Sequence, residues 1–190
     1  MFTRGFKNWC ETVSLQRRRL LGLQPTDPLD PRKLAQSMKV AIHTSAEVPD
    51  LDPETRQAIK ADSDSWSAFT MSDGARSVIV LHEEHRGGRV SSDLMHELAH
   101  ILIGHSPGQL EISPNGALML HMYGKQQEDE ATWLGGALLL PRVLLMSIRH
   151  QRLSDAVACT KFAVSQEMLN YRMRVTGVDF QLKRAAGFGR

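Results

Sequence analysis

Hydrophobic and polar positions along the chain predict a small sheet in the first half and helices in the second. Alternating apolar residues predict a strand at 40–44, and the runs at 67–71 and 77–82 flank the turn residues 72–74, as two antiparallel strands do. Apolar spacings of three and four, with capping and proline signals, predict helices at 6–21, 31–38, 52–60, 91–104, 126–140 and two more between 144 and 175. Residues 105–125 are expected to form a turn-rich connection, and residues 185–190 a frayed end.

This order of elements predicts an α+β fold. We expect a small antiparallel or mixed sheet, then a helix that begins at Ser91 or Ser92, and then an all-helical C-terminal part. We expect a core at residues 1–141, a helical extension at 142–176 packed on it and a tail at 177–190, together forming one compact unit.

The extension is similar to a helix-turn-helix pair. Residues 156–161 form the first helix, 162–165 the turn, and 166–174 a second helix that carries Arg172 and Arg174. Such a pair either packs as a structural element or contacts nucleic acid through its second helix. Both interpretations stay open on the sequence alone.

Composition excludes several classes of protein. The 190 residues are 42% hydrophobic and 23% charged, which is typical of a globular domain and not of a disordered chain. Cys10 and Cys159 form no C-x-x-C pattern, which argues against a disulfide framework and a thiolate metal site. The N-terminus has no signal-peptide core, and Pro141 interrupts the apolar stretch 131–148. We therefore expect a cytoplasmic protein that does not span a membrane.

Charge is unevenly distributed along the chain. The net charge is +2, but residues 1–44 carry +5, residues 45–141 carry −9 and residues 142–190 carry +6. An acidic middle suits a cation or a basic partner, and the basic ends suit an acidic one.

The strongest chemical signal is the H-E-x-x-H sequence formed by His96, Glu97 and His100. In a helix, His100 lies about 40° from His96 and one turn further along, so both imidazoles can reach one metal ion. Glu97 lies about 100° around the helix, where it can hydrogen-bond a water on that ion without being a ligand. Because most other positions from 94 to 103 are apolar, the polar arc predicts a metal site.

A zinc ion needs a third protein ligand. His105 falls one position short of the metzincin spacing, and it would point away from His96 if the helix continued, so we expect a capping or surface histidine there. The other source is a glutamate at the start of the next helix, in the segment 128–132. On spacing alone, Glu128 and Glu130 both remain candidates.

Two sequence blocks together resemble the ImmA/IrrE family of metallopeptidases. Residues 96–105 read HELAHILIGH, residues 128–131 read EDEA, and residues 138–141 read LLLP. The family carries H-E-L-x-H-x-L-L-G-H and E-x-E-A-N-x-F-A-x-x-L-L-M-P, and the similarity extends over residues 15–175. Thr132 stands where the family has asparagine, and Leu134 where it has phenylalanine. The resemblance implies a zincin-like fold in which the sheet packs on the HExxH helix.

The resemblance also implies the site residues. The metal ligands would be His96, His100 and Glu128, with Glu130 as the alternative carboxylate, and Glu97 would be the catalytic acid and base. Zinc is the expected metal, although Mn²⁺ or Fe²⁺ suits the same donors. Further candidates are less specific. Thr132 is expected beside the ligands, and the oxyanion could be stabilised by Tyr171, His121 or His105. An edge strand that accepts an extended substrate would carry Val78, Val80 and His82.

Taken together, the sequence predicts a cytoplasmic zinc endopeptidase. The resemblance implies that it cleaves a helix-turn-helix transcriptional repressor and so regulates genes, often those of a mobile element or a stress response. The alternative is a DNA- or protein-binding regulator in which the metal is structural or sensory. A third possibility is a small antitoxin-like partner protein, for which an intact H-E-x-x-H would be superfluous.

Overall fold

The computed structural model describes residues 2–47, 66–72, 76–84, 86–106, 110–112, 118–120 and 123–187. In these ranges the helices are α1 (Phe6–Leu20), α2 (Pro31–Ser37), α3 (Gly87–Ile103), α4 (Lys125–Leu139), α5 (Arg142–His150), α6 (Asp155–Phe162), α7 (Gln166–Thr176) and α8 (Val178–Gly187). The strands are β1 (Ala41–Thr44), β2 (Ala68–Ser72), β3 (Ser77–Leu81), β4 (Leu110–Ile112) and β5 (Leu118–Leu120). The predicted helix at 52–60 and the turn residues 73–74 lie outside the described residues.

The main sheet has three strands in the order β1-β3-β2, with β1 parallel and β2 antiparallel to β3. The predicted mixed sheet is confirmed, but β3 is its central strand. Residues 79–81 are all buried, as is typical of a strand covered by neighbours. The expectation that Val78, Val80 and His82 form a substrate-accepting edge is therefore wrong, because both edges of β3 are already paired. A second sheet pairs β4 with β5 where only a turn-rich connection was predicted.

Helix α3 begins one turn earlier than the capping signals predict. Its N-cap is Arg86, and Ser92 lies inside the helix, where its hydroxyl donates to the carbonyl of Gly88 at 3.0 Å. Gly88 packs against the backbone of Val164 and Ser165, so a tertiary contact supports the extra turn. The helix ends as predicted at Gly104, which has a left-handed φ of 83°.

The core forms where α3 packs on the sheet with one side and on α4 with the other. Leu94 and Leu98 of α3 and Leu134 and Leu138 of α4 are fully buried, and each contributes about 1.5–3 kcal/mol by leaving water. Gly135 allows the close approach of the two helices, since a Cβ there would lie 3.3 Å from the Met95 carbonyl oxygen. The N-terminal turn of α4 also lies beside the middle of α3, where Glu128 contacts His96.

Two buried arginines donate hydrogen bonds to the carbonyls at the C-terminal end of α4, which have no partners within the helix. Arg18 of α1 donates to the Leu139 carbonyl at 3.2 Å, and Arg172 of α7 donates to the Leu140 carbonyl at 3.0 Å. Arg172 also pairs with Glu11 at 2.5 Å. Positive charge at this end complements the helix dipole. Arg172 is thus a packing residue, and it is not exposed for contact with nucleic acid.

The helical C-terminal part is confirmed, with more helix than predicted. Helices α6 and α7 form the expected pair, joined through Ala163 and capped by Ser165, whose hydroxyl accepts from the Met168 N–H at 3.1 Å. Between 142 and 176 there are three helices, and α8 occupies most of the predicted tail. The proposed division at residues 141 and 176 stays a prediction.

Among the described residues, no single helix combines the length and apolarity needed to cross a membrane; the bent pair α4 and α5 meets these criteria together by length and composition.

Candidate metal centre

Three potential metal ligands converge where α3 meets the first turn of α4. The Nε2 atoms of His96 and His100 lie 3.0 Å apart, and the Glu128 Oε2 lies 3.0 Å from the His96 Nε2. The Glu128 Oε1 lies 3.8 Å from the His100 Nε2. One helical turn separates the two histidines, and the packing of α4 on α3 supplies the carboxylate.

The donor set fits a divalent metal ion. Two imidazoles and one carboxylate are a zinc ligand set that leaves a further position for water, and bond lengths near 2.1 Å place tetrahedral ligand atoms about 3.4 Å apart. The observed separations of 3.0–3.8 Å lie around this value. Burial, followed by the nearby His96 and His105, lowers the pKa of His100 to about 3. The ring is therefore neutral and can offer a lone pair to a metal.

Glu97 is not one of the three converging ligands. It is 6% exposed, and the Thr70 hydroxyl on β2 donates to its Oε2 at 2.6 Å. Burial raises the pKa of Glu97, while the hydrogen bond from Thr70 opposes that rise. A carboxylate held beside the ligands, with a raised affinity for protons, is suited to accept a proton from water. The sequence does not single out Thr70, because β2 and the HExxH helix are far apart along the chain and only the fold brings them into contact.

His105 is a buried neighbour of the candidate ligands, so the expectation of a surface histidine is wrong, whereas the alternative of a capping residue holds for its backbone N–H. Its side chain is 6% exposed, its Nδ1 lies 2.9 Å from the His100 Nδ1, and its Nε2 lies 3.1 Å from the Glu130 Oε2. The left-handed turn at Gly104 ends the helix and bends the chain back, so the His105 N–H donates to the His100 carbonyl at 3.0 Å. Glu130 contacts this histidine and is not a member of the three-ligand group.

Tyr123 covers the candidate ligand His100 from the side of the residues that precede α4. The two rings stack with centroids 3.6 Å apart and an angle of 17°. Burial, with further contributions from Glu97 and Glu128, raises the pKa of the phenol, so Tyr123 stays protonated. No pattern in the sequence singled out this residue, because the stacking depends on the path of the chain between α3 and α4.

The remaining predicted residues are placed as follows. Thr132 lies one turn after Glu128 on the same face of α4 and is half-buried. Tyr171 packs against Trp133, with ring centroids 6.5 Å apart, and lies beside Gly136 on the α7 side of α4. His82 is buried, and its Nδ1 accepts from the Glu84 N–H at 3.2 Å. His121 lies outside the described residues.

Comparison with known proteins identifies the family. The profile of the IrrE N-terminal-like domain, Peptidase_M78, matches residues 53–174, a range that contains all three candidate ligands and Glu97. The chain belongs to this peptidase family. The match extends into α7, so most of the helix-turn-helix-like pair lies within the IrrE-like region. The resemblance inferred from the two sequence blocks is thereby confirmed.

A solved structure described as a Mycobacterium tuberculosis transcriptional regulator is similar to 90% of this chain, with 16% sequence identity and a TM-score of 0.49. The chain spans about half the length of that protein, 47% of it. The search of curated proteins found no match.

Proposed function

We propose that this protein is a zinc-dependent endopeptidase that cleaves a protein substrate. The observation that carries the proposal is the position of Glu97, held by Thr70 next to three converging ligands in a chain of the M78 peptidase family. His96, His100 and Glu128 would hold the metal. A zinc ion bound there supplies a Lewis acid that polarises the scissile carbonyl and makes the attacking water more acidic.

The protein's own residues would then handle the proton. Thr70 fixes the Oε2 of Glu97, which leaves the other carboxylate oxygen to take a proton from the attacking water. The same carboxyl group would pass that proton to the leaving amine. Its raised pKa supports this second step, because the protonated form must persist until the amine departs.

An extended substrate would lie along β2. Within the described residues β2 pairs only with β3, and Thr70 of β2 contacts Glu97. Addition of a substrate strand to the outer edge of β2 would therefore bring a peptide bond towards the catalytic carboxylate. This replaces β3, which the sequence analysis had proposed for the same role.

For the substrate, we propose a helix-turn-helix transcriptional repressor in the cytoplasm, cleaved in a mobile-element or stress response. The support is the resemblance of both sequence blocks to the ImmA/IrrE family. Contact with nucleic acid is not part of the proposal, because Arg172 is buried and Glu167 occupies the first turn of α7.

The decisive experiment compares wild-type protein with Glu97→Gln. Both proteins, loaded with zinc and matched for metal content, are incubated with a cell extract, and new protein N-termini are mapped by mass spectrometry. We expect new termini with the wild type that are absent with Glu97→Gln. Their presence in helix-turn-helix repressors would support the proposed substrate. Equal sets of termini, or none with the wild type, would refute the peptidase and favour a binding regulator.

The ligand assignment has its own test. The zinc content of His100→Ala and Glu128→Ala should fall well below the wild-type stoichiometry, since each loses one of three ligands. Full stoichiometry in Glu128→Ala together with loss in Glu130→Ala would show that the carboxylate ligand lies two positions further along the chain.

A further inference from the structure

We propose that Glu130 and His105 form a positioning relay that fixes the orientation and tautomer of the metal ligand His100. The relay runs from the Glu130 Oε2 to the His105 Nε2, at 3.1 Å, and from the His105 Nδ1 to the His100 Nδ1, at 2.9 Å. Neither Glu130 nor His105 is a ligand. This inference rests on the proposed function, since it concerns a ligand of the proposed zinc site.

The direction of each hydrogen bond follows from the chemistry of the carboxylate. An ionised carboxylate only accepts hydrogen bonds, so the His105 Nε2 must carry a proton and donate it to Glu130. In a neutral imidazole the other nitrogen is then an acceptor, and the His105 Nδ1 accepts from the His100 Nδ1. His100 thus carries its proton on Nδ1. The lone pair of its Nε2 faces His96 and Glu128, where a metal would be bound.

Because the three side chains are largely buried, water cannot easily replace the hydrogen bonds between them. The side chains of His100, His105 and Glu130 are 0%, 6% and 13% exposed. Tyr123 covers one face of the His100 ring. If His100 adopted the other tautomer, its Nε2–H would point at the metal position. The Nδ1 atoms of His100 and His105 would then face each other at 2.9 Å with no proton between them. The relay therefore selects the form of His100 that binds metal.

The first test measures zinc affinity by competition with a chromogenic chelator. Removal of a group that orients a ligand histidine weakens metal binding by about 10- to 100-fold, and we expect this for His105→Ala and Glu130→Ala. The double variant should bind zinc no more weakly than His105→Ala, because both residues act through the same chain of hydrogen bonds. Glu130→Gln, whose amide oxygen can still accept from His105, should regain most of the affinity.

Gln126→Ala is the matched control. The Gln126 side chain donates to the other oxygen of Glu130 at 3.0 Å, so this change disturbs Glu130 without removing the relay. Its zinc affinity should stay within about twofold of the wild type, as expected for a surface substitution. Wild-type affinity in His105→Ala, or equal losses in Gln126→Ala and Glu130→Ala, would overturn the proposal.

The second test observes the tautomers in metal-free protein by ¹⁵N NMR of the histidine rings at mildly alkaline pH. We expect His100 protonated at Nδ1 and His105 at Nε2, with the His105 preference lost in Glu130→Ala. A proton on the Nε2 of His100 would refute the relay. Because neither test depends on hydrolysis, failure of the relay and failure of the peptidase proposal can be told apart.

Discussion

Replacing Gly88 by alanine tests whether the C-terminal helix pair packs on the start of α3. A Cβ at Gly88 would lie 2.5 Å from the carbonyl carbon of Val164 and 2.6 Å from the backbone nitrogen of Ser165. Both are backbone atoms in the turn between α6 and α7, so no flexible side chain can move aside. Ordinary contact begins at 3.4 Å, and the turn and the helix would have to separate.

The magnitude is the balance of two opposing effects. Overpacking costs about 1–3 kcal/mol, and a clash with backbone favours the upper end of this range. Alanine in a helix gains about 0.5–1 kcal/mol over glycine. We therefore expect a net loss of about 2 kcal/mol in the free energy of unfolding, or about 4–8 °C in Tm for a chain of this size. Zinc content should be unchanged, because Gly88 lies about 12 Å along the helix from His96.

The assay is thermal and urea unfolding followed by circular dichroism, with metal content measured in parallel. Arg89→Ala is the control, since it alters the same helical turn at an exposed side chain, and its effect should stay within about 0.5 kcal/mol. A Gly88→Ala protein as stable as the wild type, or more stable, would refute the reasoning. That result would mean that the turn does not pack on α3.

Three further predictions follow from the contacts described above. Thr70→Val should lower kcat/KM by about 10- to 100-fold without loss of zinc, since a hydrogen bond to a charged group contributes about 1.5–3 kcal/mol. Thr70→Ser keeps the hydroxyl and should restore the activity. Arg172→Met should lower the free energy of unfolding by about 2 kcal/mol or more in urea titrations. Arg172→Lys should not restore it, because lysine lacks the forked guanidinium group that reaches both Leu140 and Glu11. Zinc at 100 times its Kd should add about 2.7 kcal/mol to wild-type stability and raise Tm by about 5–11 °C in thermal scans, an increase that His96→Ala should lack.

The ligand constellation could be predicted because its geometry is largely local. His96 and His100 lie one helical turn apart, and this spacing alone directs both rings to one point. The choice of Glu128 over Glu130 could not come from spacing in the same way. It required the second sequence block, and the structure supports it because the packing of α4 on α3 brings Glu128 to the imidazoles and turns Glu130 towards His105.

The surroundings of the ligands could not be predicted, because they depend on where the chain goes between elements. The sequence marks Gly104 as the end of the helix, yet the direction predicted for His105 assumes that the helix continues. The left-handed turn reverses that direction and buries the ring. Similarly, no local pattern shows that β3 returns to pair with β1, and so the strand expected at an edge lies in the centre of the sheet.

The anchoring of α4 by Arg18 and Arg172 has a consequence for the smallest unit that can fold. The region matched by the family profile begins at residue 53, yet two of the last carbonyls of the helix that carries Glu128, those of Ala137 and Leu139, accept hydrogen bonds from Ser14 and Arg18 of α1, which ends at Leu20. A fragment trimmed to the motif-bearing region would leave buried carbonyls without donors. The candidate metal ligands therefore rely on a segment far outside their own sequence blocks, and shortened versions of this chain should keep residues 6–20.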